Sequence, residues 1–441
     1  MIPTERTTAA LRNKLLSQET PRKLSVGIVN LGCARNLVDS QIILGRLKKN
    51  GHKITDAQCA DVTIVNTCSF IEEAKAESID VILDLLELKK QGKIKKLIVA
   101  GCLAQRYAHE LAAELKGVDA YVGALALDKA KFPPQVSLTP KHFAYVKICE
   151  SCFNQCSFCA IPKIKGKFSS RTIESVIEEI KFLDRQGIKE INIVGQDITA
   201  YGMDIYRKKS LAKLLKEMVA VTKNIRWIRL LYAFPAHMDH ELIDTIAGER
   251  KICRYIDMPL QHISDKILKD MNRGISKQQT ADLVKTIREK IPESSLRTTF
   301  IVGFPGETDG DFEELLGFVR EAQFERAGVF VYSKEEGTPA YGYPGHVPEL
   351  VKKKRLDILM KEQQNISKSV QERFLGKTVD VLIDEKQKGE EDVYLGRSEY
   401  DAPDVDGLVY VHSKKRLNPG DFVSALITDT YEYDLSGELA L

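Results

Sequence analysis

Three cysteines, Cys152, Cys156 and Cys159, stand in a C-x3-C-x2-C spacing within the stretch 149–159, CESCFNQCSFC. Thiolates held this close together select soft metal centres, either zinc or an iron–sulfur cluster. Structural zinc takes four closed ligands, and its two cysteine pairs are normally separated by a longer excursion than three residues. Three thiolates on a four-iron cluster instead leave one iron open to a further ligand. An apolar, strand-like run at 143–148 leads into the motif. The thiolates therefore belong at the carboxyl end of a strand, where α/β folds gather their ligands. Cys149 fits neither spacing and reads as a small apolar residue closing the strand.

A second set of thiols lies in the first third of the chain. Leu31-Gly32-Cys33, Asn66-Thr67-Cys68 and Gly101-Cys102 each sit just past a strand-like run, at 26–31, 62–65 and 97–100. Amphipathic segments such as 37–49 and 71–88 separate these runs, and alternating strand and helix predicts a parallel, doubly wound sheet. In such a sheet Cys33, Cys68 and Cys102 share one end, either as ligands of a second centre or as small buried residues. Cys59 precedes its strand and is expected at the opposite end.

The elements that must position these thiols fill a chain of 441 residues, enough for about three domains. With 43% hydrophobic and 29% charged residues the composition is that of a soluble globular protein. No run of eighteen apolar residues appears, so no membrane span is expected. Residues 1–22 lack the apolar core of a signal peptide, which predicts a cytoplasmic protein with a loose leader. Nine unevenly spaced cysteines suit a reducing compartment and not a disulfide scaffold. The net charge of +3 is unevenly spread, since residues 370–441 carry sixteen Asp and Glu against eight Lys and Arg. The rest of the chain is correspondingly positive.

Beyond the cysteine loop, strand candidates recur at 190–194, 226–231, 255–258, 296–302 and 326–332, with helices at 171–185, 211–221 and 279–290. Counted with the run at 143–148 they make six strands, too few for a closed eightfold barrel, and predict a partial (β/α)6 barrel. Gly195-Gln196-Asp197, Pro259-Leu260-Gln261-His262 and Gly303-Phe304-Pro305-Gly306-Glu307-Thr308 fall at its strand ends. A long amphipathic helix with a basic face, 350–374, is expected to brace the barrel against a tail. In the tail, short strands at 378–383, 393–396, 408–412 and 422–427 predict a small antiparallel β-barrel of the oligonucleotide-binding sort. Its acidic balance speaks against binding RNA and for meeting a basic protein, with Asp401, Asp404 and Asp406 expected in an exposed acidic turn.

These motifs together resemble the radical S-adenosylmethionine methylthiotransferases. The C-x3-C-x2-C loop is similar to that of the radical S-adenosylmethionine superfamily, and Leu31-Gly32-Cys33-Ala34-Arg35-Asn36-Leu37-Val38-Asp39-Ser40, Val65-Asn66-Thr67-Cys68 and Ala100-Gly101-Cys102-Leu103-Ala104-Gln105-Arg106-Tyr107 resemble the family's first domain. The first of these stretches and Gly396-Arg397-Ser398-Glu399-Tyr400-Asp401-Ala402-Pro403-Asp404-Val405-Asp406-Gly407 look like the branch that acts on a ribosomal protein, although Ala34 stands where that branch usually has proline. The resemblance implies an α/β chain with a leader (1–23), a doubly wound methylthiotransferase domain (24–128), a linker (129–142), a radical S-adenosylmethionine barrel with its last helix (143–375) and a TRAM domain (376–441). It implies two [4Fe-4S] clusters, one on Cys152, Cys156 and Cys159 and an auxiliary one on Cys33, Cys68 and Cys102. S-adenosylmethionine would lie near Gly195, Gln196, Asp197, Gly303 and Phe304. The implied activity is methylthiolation of the β-carbon of an aspartate in the twelfth small-subunit ribosomal protein, free or in its subunit, with the cofactors and no side chain as catalyst. An electron donor such as a flavodoxin is implied too. The alternative within the family is a tRNA adenosine methylthiotransferase; the acidic tail, which repels phosphate, argues against tRNA as a partner.

Overall fold

The computed structural model describes residues 23–440. Val- and Ile-rich runs form β1 (Ser25–Asn30), β2 (Lys53–Ile54), β3 (Val62–Thr67), β4 (Lys96–Gly101) and β5 (Ala120–Val122), a sheet in the order β2-β1-β3-β4-β5. Every pairing in it is parallel. The crossovers are α1 (Ala34–Lys49), α2 (Glu72–Lys90) and α3 (Cys102–Glu114). The expected strands and helices are all present. Two were missed as strands, β2 because it is two residues long and β5 because it is three; α3 was missed because Tyr107, at φ −132°, breaks its helical period.

The second unit comprises β6 (Phe143–Lys147), β7 (Cys149–Glu150), α4 (Ile161–Lys165), β8 (Ser169–Ser170), α5 (Ile173–Arg185), β9 (Glu190–Val194), α6 (Leu211–Val221), β10 (Trp227–Leu230), α7 (His240–Gly248) and β11 (Ile252–Asp257). It continues through α8 (Asp265–Asp270), α9 (Lys277–Lys290), β12 (Ser295–Val302), α10 (Asp309–Ala322), β13 (Arg326–Val331) and α11 (Glu349–Gln371). Its main sheet runs β13-β12-β11-β10-β9-β6 and stays open between β13 and β6, the partial six-stranded barrel expected. Alternation along each strand divides the core. Ile191, Ile193, Ile228, Ile256 and Phe300 face the helices, while Phe143, Tyr145, Trp227, Cys253 and Tyr255 face inward. α10 opens with a capping box: the Thr308 hydroxyl accepts the Asp311 N–H (3.2 Å), and the Asp311 carboxylate accepts the Thr308 N–H (2.9 Å).

The inward face is closed by the tail. β14 (Thr378–Lys386), β15 (Val393–Ser398), β16 (Val409–His412), β17 (Phe422–Thr430) and β18 (Leu435–Leu439) form a closed five-stranded barrel. The sequence showed four of these strands and suggested purely antiparallel pairing; β18 is the fifth, and it pairs with β16 in parallel. Its run Leu-Ser-Gly-Glu-Leu carries too little β-branched character to stand out. Leu382 and Ala402 of this barrel and Val38 and Ile42 of α1 enter one apolar cluster with Tyr145, Trp227 and Tyr255. Trp227 meets Phe422 edge to face at 4.7 Å.

The acidic turn is not solvated. Asp401 is buried and accepts from Arg326 (2.7 Å) and from the Ser398 hydroxyl (2.6 Å). Asp406 accepts from the Tyr255 hydroxyl (2.6 Å) and pairs with Arg297 (3.4 Å), its side chain 2% exposed. Only Asp404 of the three is exposed. The expectation of an acidic docking turn is therefore corrected: burial inside the barrel mouth turned two of its carboxylates into bolts to barrel arginines. α11 does brace the barrel, but its basic face is partly internal, with Lys352 donating to the Tyr332 carbonyl (3.1 Å) and Arg355 to Glu307 (2.8 Å).

Candidate functional site

β1, β3 and β4 are neighbours, about 4.8 Å apart strand to strand, so residues following their carboxyl ends are neighbours too. Cys33 caps the start of α1, Cys68 follows β3 and Cys102 is the first residue of α3. Gly32 makes this approach possible. At φ +83° it occupies the left-handed region, and a Cβ on it would stand 2.7 Å from the Cys68 Cβ. Burial pushes the Cys102 thiol up to about 12, and burial is also the main cause raising Cys68. At Cys33 burial works the same way, but the Arg35 guanidinium, 3.3 Å from Sγ, overcomes it and lowers the thiol. Cys59 is exposed in a turn before β3, at the other end of the sheet as expected.

The loop 151–159 is fixed from three sides. Asn154 donates to Cys152 Sγ through its backbone N–H (3.4 Å) and its amide (3.5 Å), and the same amide donates to Asp197 (2.8 Å). Arg273 donates to Cys156 Sγ (3.3 Å) while stacking on Phe234 (4.2 Å). The Ser157 N–H donates to the Met271 carbonyl (3.0 Å), and the Ser157 carbonyl accepts from Ala340 (2.9 Å). Burial raises Cys152 to about 11 and Cys159 to about 12. A coordinating metal deprotonates such thiols outright. Cys149, wholly buried, lies under Gly195, where a Cβ would come within 2.4 Å of its sulfur.

The two thiol sets stand on elements that pack against each other. Cys102 packs in an apolar cluster with Ala160, the residue directly after Cys159, and Ile164 of α4. Arg35 bridges the halves from the other side, donating to the Gly195 carbonyl (3.0 Å) and lying over the Tyr232 ring (4.2 Å). Between them is a buried charge group: Lys147 binds Asp39 and Glu150 (2.5 Å to Glu150), Lys165 reaches Asp39 (3.3 Å) and Glu150 (3.5 Å), and Gln196 donates to Glu150 (2.7 Å). Burial opposes the Glu150 charge, yet the two lysines hold its carboxyl below the ordinary range. Glu335, after β13, binds Lys75 of α2 (3.2 Å) and Arg106 of α3 (2.8 Å), the two helices that follow Cys68 and lead from Cys102.

The remaining sequence-derived site residues are placed as follows. Asp197 caps the turn Ile198–Ala200, pairs with His237 (2.8 Å) and holds Asn154. The backbone N–H groups of Gly303 and Phe304 both donate to Glu307 (2.7 and 3.1 Å), and the Phe304 ring is buried with Tyr332 and Ala340, with Phe158 packed against them. Gly195, Gln196, Asp197, Gly303 and Phe304 are all at the carboxyl ends of barrel strands, and the side chains of Gln196, Asp197 and Phe304 serve the scaffold. Sequence reasoning missed Lys147, Lys165, Arg273 and Glu335. A lysine at the end of an apolar strand, as at Lys147, was the one available signal.

Among the described residues no group of three or more His, Cys, Asp or Glu side chains could hold a single metal ion. Thiols that each take a different iron of a cluster need not converge on one point as the ligands of a single ion do. A six-stranded parallel partial barrel carrying C-x3-C-x2-C after its first strand defines a radical S-adenosylmethionine protein, and the model of the radical SAM superfamily matches residues 146–319. The model of an uncharacterized protein family, UPF0004, matches 25–123, and that of the TRAM domain matches 375–440. Over 94–95% of its length the chain is 45% identical to the ribosomal protein uS12 methylthiotransferase RimO of Clostridioides difficile and 47% to that of Geobacter sulfurreducens, covering 99% of each. The Aquifex aeolicus protein of the same name is 46% identical, with 94% of this chain and 97% of that one covered. The chain belongs to the family of ribosomal protein uS12 methylthiotransferases. A radical S-adenosylmethionine methyltransferase of known structure, TsrM from Kitasatospora setae, shares the fold at TM-score 0.53 and 17% identity, over 72% of this chain and 77% of that one.

Proposed function

We propose that this chain methylthiolates the β-carbon of an aspartate in ribosomal protein uS12, with a [4Fe-4S] cluster on Cys152, Cys156 and Cys159 and a second on Cys33, Cys68 and Cys102. The observation that supports this reading is the packing of Cys102 against Ala160 and Ile164, one and five residues after Cys159, which sets the cysteine end of the first sheet beside the cysteine loop of the barrel. When bound, the clusters and S-adenosylmethionine supply the radical and the sulfur that an unactivated C–H bond requires. The chain's own residues bind, orient and exclude water. Asn154 and Arg273 hold the first triad's loop, and Arg35 ties the second triad to the strand end at Gly195. The strand-end loops at Gly195, Gln196, Asp197, Gly303 and Phe304 rim the cofactor site; because Gln196 and Asp197 are committed to Glu150 and Asn154, these positions offer the cofactor backbone groups and shape. An electron donor such as a flavodoxin completes the system in the cytoplasm, and among the described residues no helix is long and apolar enough to cross a membrane.

The test is mass spectrometry of uS12 and of tRNA from cells with and without this chain. Loss of the methylthio group from uS12 alone is expected. Loss from tRNA with uS12 intact defeats the reading. With Cys33, Cys68 and Cys102 all changed to Ala, the reconstituted enzyme should still cleave S-adenosylmethionine reductively and form no methylthiolated protein; normal product from the triple variant would remove the second cluster from the reaction.

A further inference from the structure

Part of the positive excess of the chain before the tail lies away from this chemistry. Much of it gathers at the amino-terminal end of the five-stranded sheet, opposite the cysteines. Lys53 opens β2, Lys96 opens β4, Lys93 precedes β4, Lys48 and Lys49 close α1, and Lys116 follows α3. All six are exposed, and no carboxylate pairs with any of them among the described residues. The acids that share this end are already engaged, Asp61 with Lys95 (2.6 Å), Glu87 with Lys90 (3.3 Å) and Asp119 with Lys89. Asp56 and Glu114 add two further carboxylates, well short of balancing six lysines. Lysines at a helix carboxyl end are an ordinary complement to the helix dipole, which accounts for Lys48 and Lys49. It does not account for Lys53, Lys93 and Lys96, which lie on strand ends and a turn.

We propose that this end of the sheet docks the phosphate backbone of ribosomal RNA, so that the chain engages uS12 within the small ribosomal subunit. This rests on the reading of uS12 as substrate. Lysine ammonium groups on a rigid sheet edge meet phosphates as point charges and release counterions, a sequence-independent mode of binding. Six-residue strands place this end about 20 Å from the cysteine end, so RNA held here leaves the cleft free for a protein segment. An acidic redox partner would need to approach the loop 151–159, on the far side of the sheet. RNA is therefore the better fit.

The test replaces the six lysines by glutamine in the full chain, with a second variant carrying arginine at the same positions. Binding to a labelled transcript of small-subunit ribosomal RNA and to purified subunits lacking the modification is measured by fluorescence anisotropy from about 50 to about 200 mM KCl. At about 100 mM the glutamine variant should bind both at least about tenfold more weakly, with a salt slope smaller by about 3. The arginine variant should bind as the parent does, and cleavage of S-adenosylmethionine and modification of free uS12 should be unchanged in both. Equal affinity and slope for the parent and the glutamine variant would overturn the proposal. It would also fall if the glutamine variant kept its RNA affinity and lost reduction by flavodoxin, since the face would then serve a redox protein. If the parent binds subunits through this face but modifies uS12 neither free nor assembled, the docking face stands and the substrate reading fails.

Discussion

Cys59 and Cys152 are the same side chain in opposite surroundings, one exposed on a turn and one held by Asn154 beside Cys156 and Cys159. Anaerobic reconstitution should therefore load about eight irons per chain. Cys152→Ala should halve this, while Cys59→Ala and Cys253→Ala leave it intact; Cys253 is buried in the barrel beside Arg229, away from both triads. His262 is a different case. It is wholly buried, its Nδ1 accepts the Ser264 N–H (3.0 Å), and its Nε2 has no partner and stands 3.8 Å from Glu307. Burial pulls its pKa down to about 3, so the folded chain keeps it neutral where the unfolded chain would protonate it. Stability from this group is complete above the unfolded value near 6.5 and is lost as pH falls from there toward 3. His262→Asn retains an acceptor for Ser264 and removes the titration. The stability gap between parent and variant in urea should narrow by about 2 kcal/mol on going from pH 8 to pH 5. A constant gap would show that His262 titrates normally.

At the scale of elements, one carboxylate ties both helices of the auxiliary thiol set to the barrel. Glu335 binds Lys75 on α2 and Arg106 on α3, and Arg106 also donates to the Ser69 carbonyl (3.0 Å) and the Glu336 carbonyl (2.8 Å). Arg106→Met keeps the apolar stem and removes these ties. Both clusters should still assemble, with about eight irons by colorimetric assay. The ratio of S-adenosylmethionine cleaved to methylthio groups transferred should rise by about tenfold, because an ångström-scale misplacement of reacting groups costs that much or more. An unchanged ratio would mean that α4 and the packing of Cys102 fix the separation unaided.

For the whole molecule, the tail is a barrel with its own core that also closes the inner face of the six-stranded sheet. Breaking a buried ion pair by removing one partner costs about 3–5 kcal/mol, since the remaining charge stays buried. Asp401→Asn, which leaves Arg326 without its carboxylate, and Asp406→Asn, which leaves Arg297 with Asp257 alone (3.0 Å) and weakens the acceptor of the Tyr255 hydroxyl, should each lower the unfolding midpoint in a thermal melt, the first more. Asp404→Asn should not, because Asp404 is exposed and only 3.4 Å contact with the Tyr145 hydroxyl ties it down. Equal melting for all three would mean that solvent reaches the turn.

Local information was enough for the three folded parts and for placing the cysteines and the loops at strand ends, because spacing, period and punctuation are properties of adjacent residues. Cys33, Cys68 and Cys102 could be placed together since parallel strands share an end. What needed the tertiary structure was every choice that depends on a distant partner. Glu335 finds Lys75 and Arg106 across 260 and 229 residues, and Lys147 finds Asp39 across 108. The charge of Asp401 and Asp406 is visible in the sequence, but whether a carboxylate meets water or a buried arginine is decided only when the tail closes the barrel's inner face.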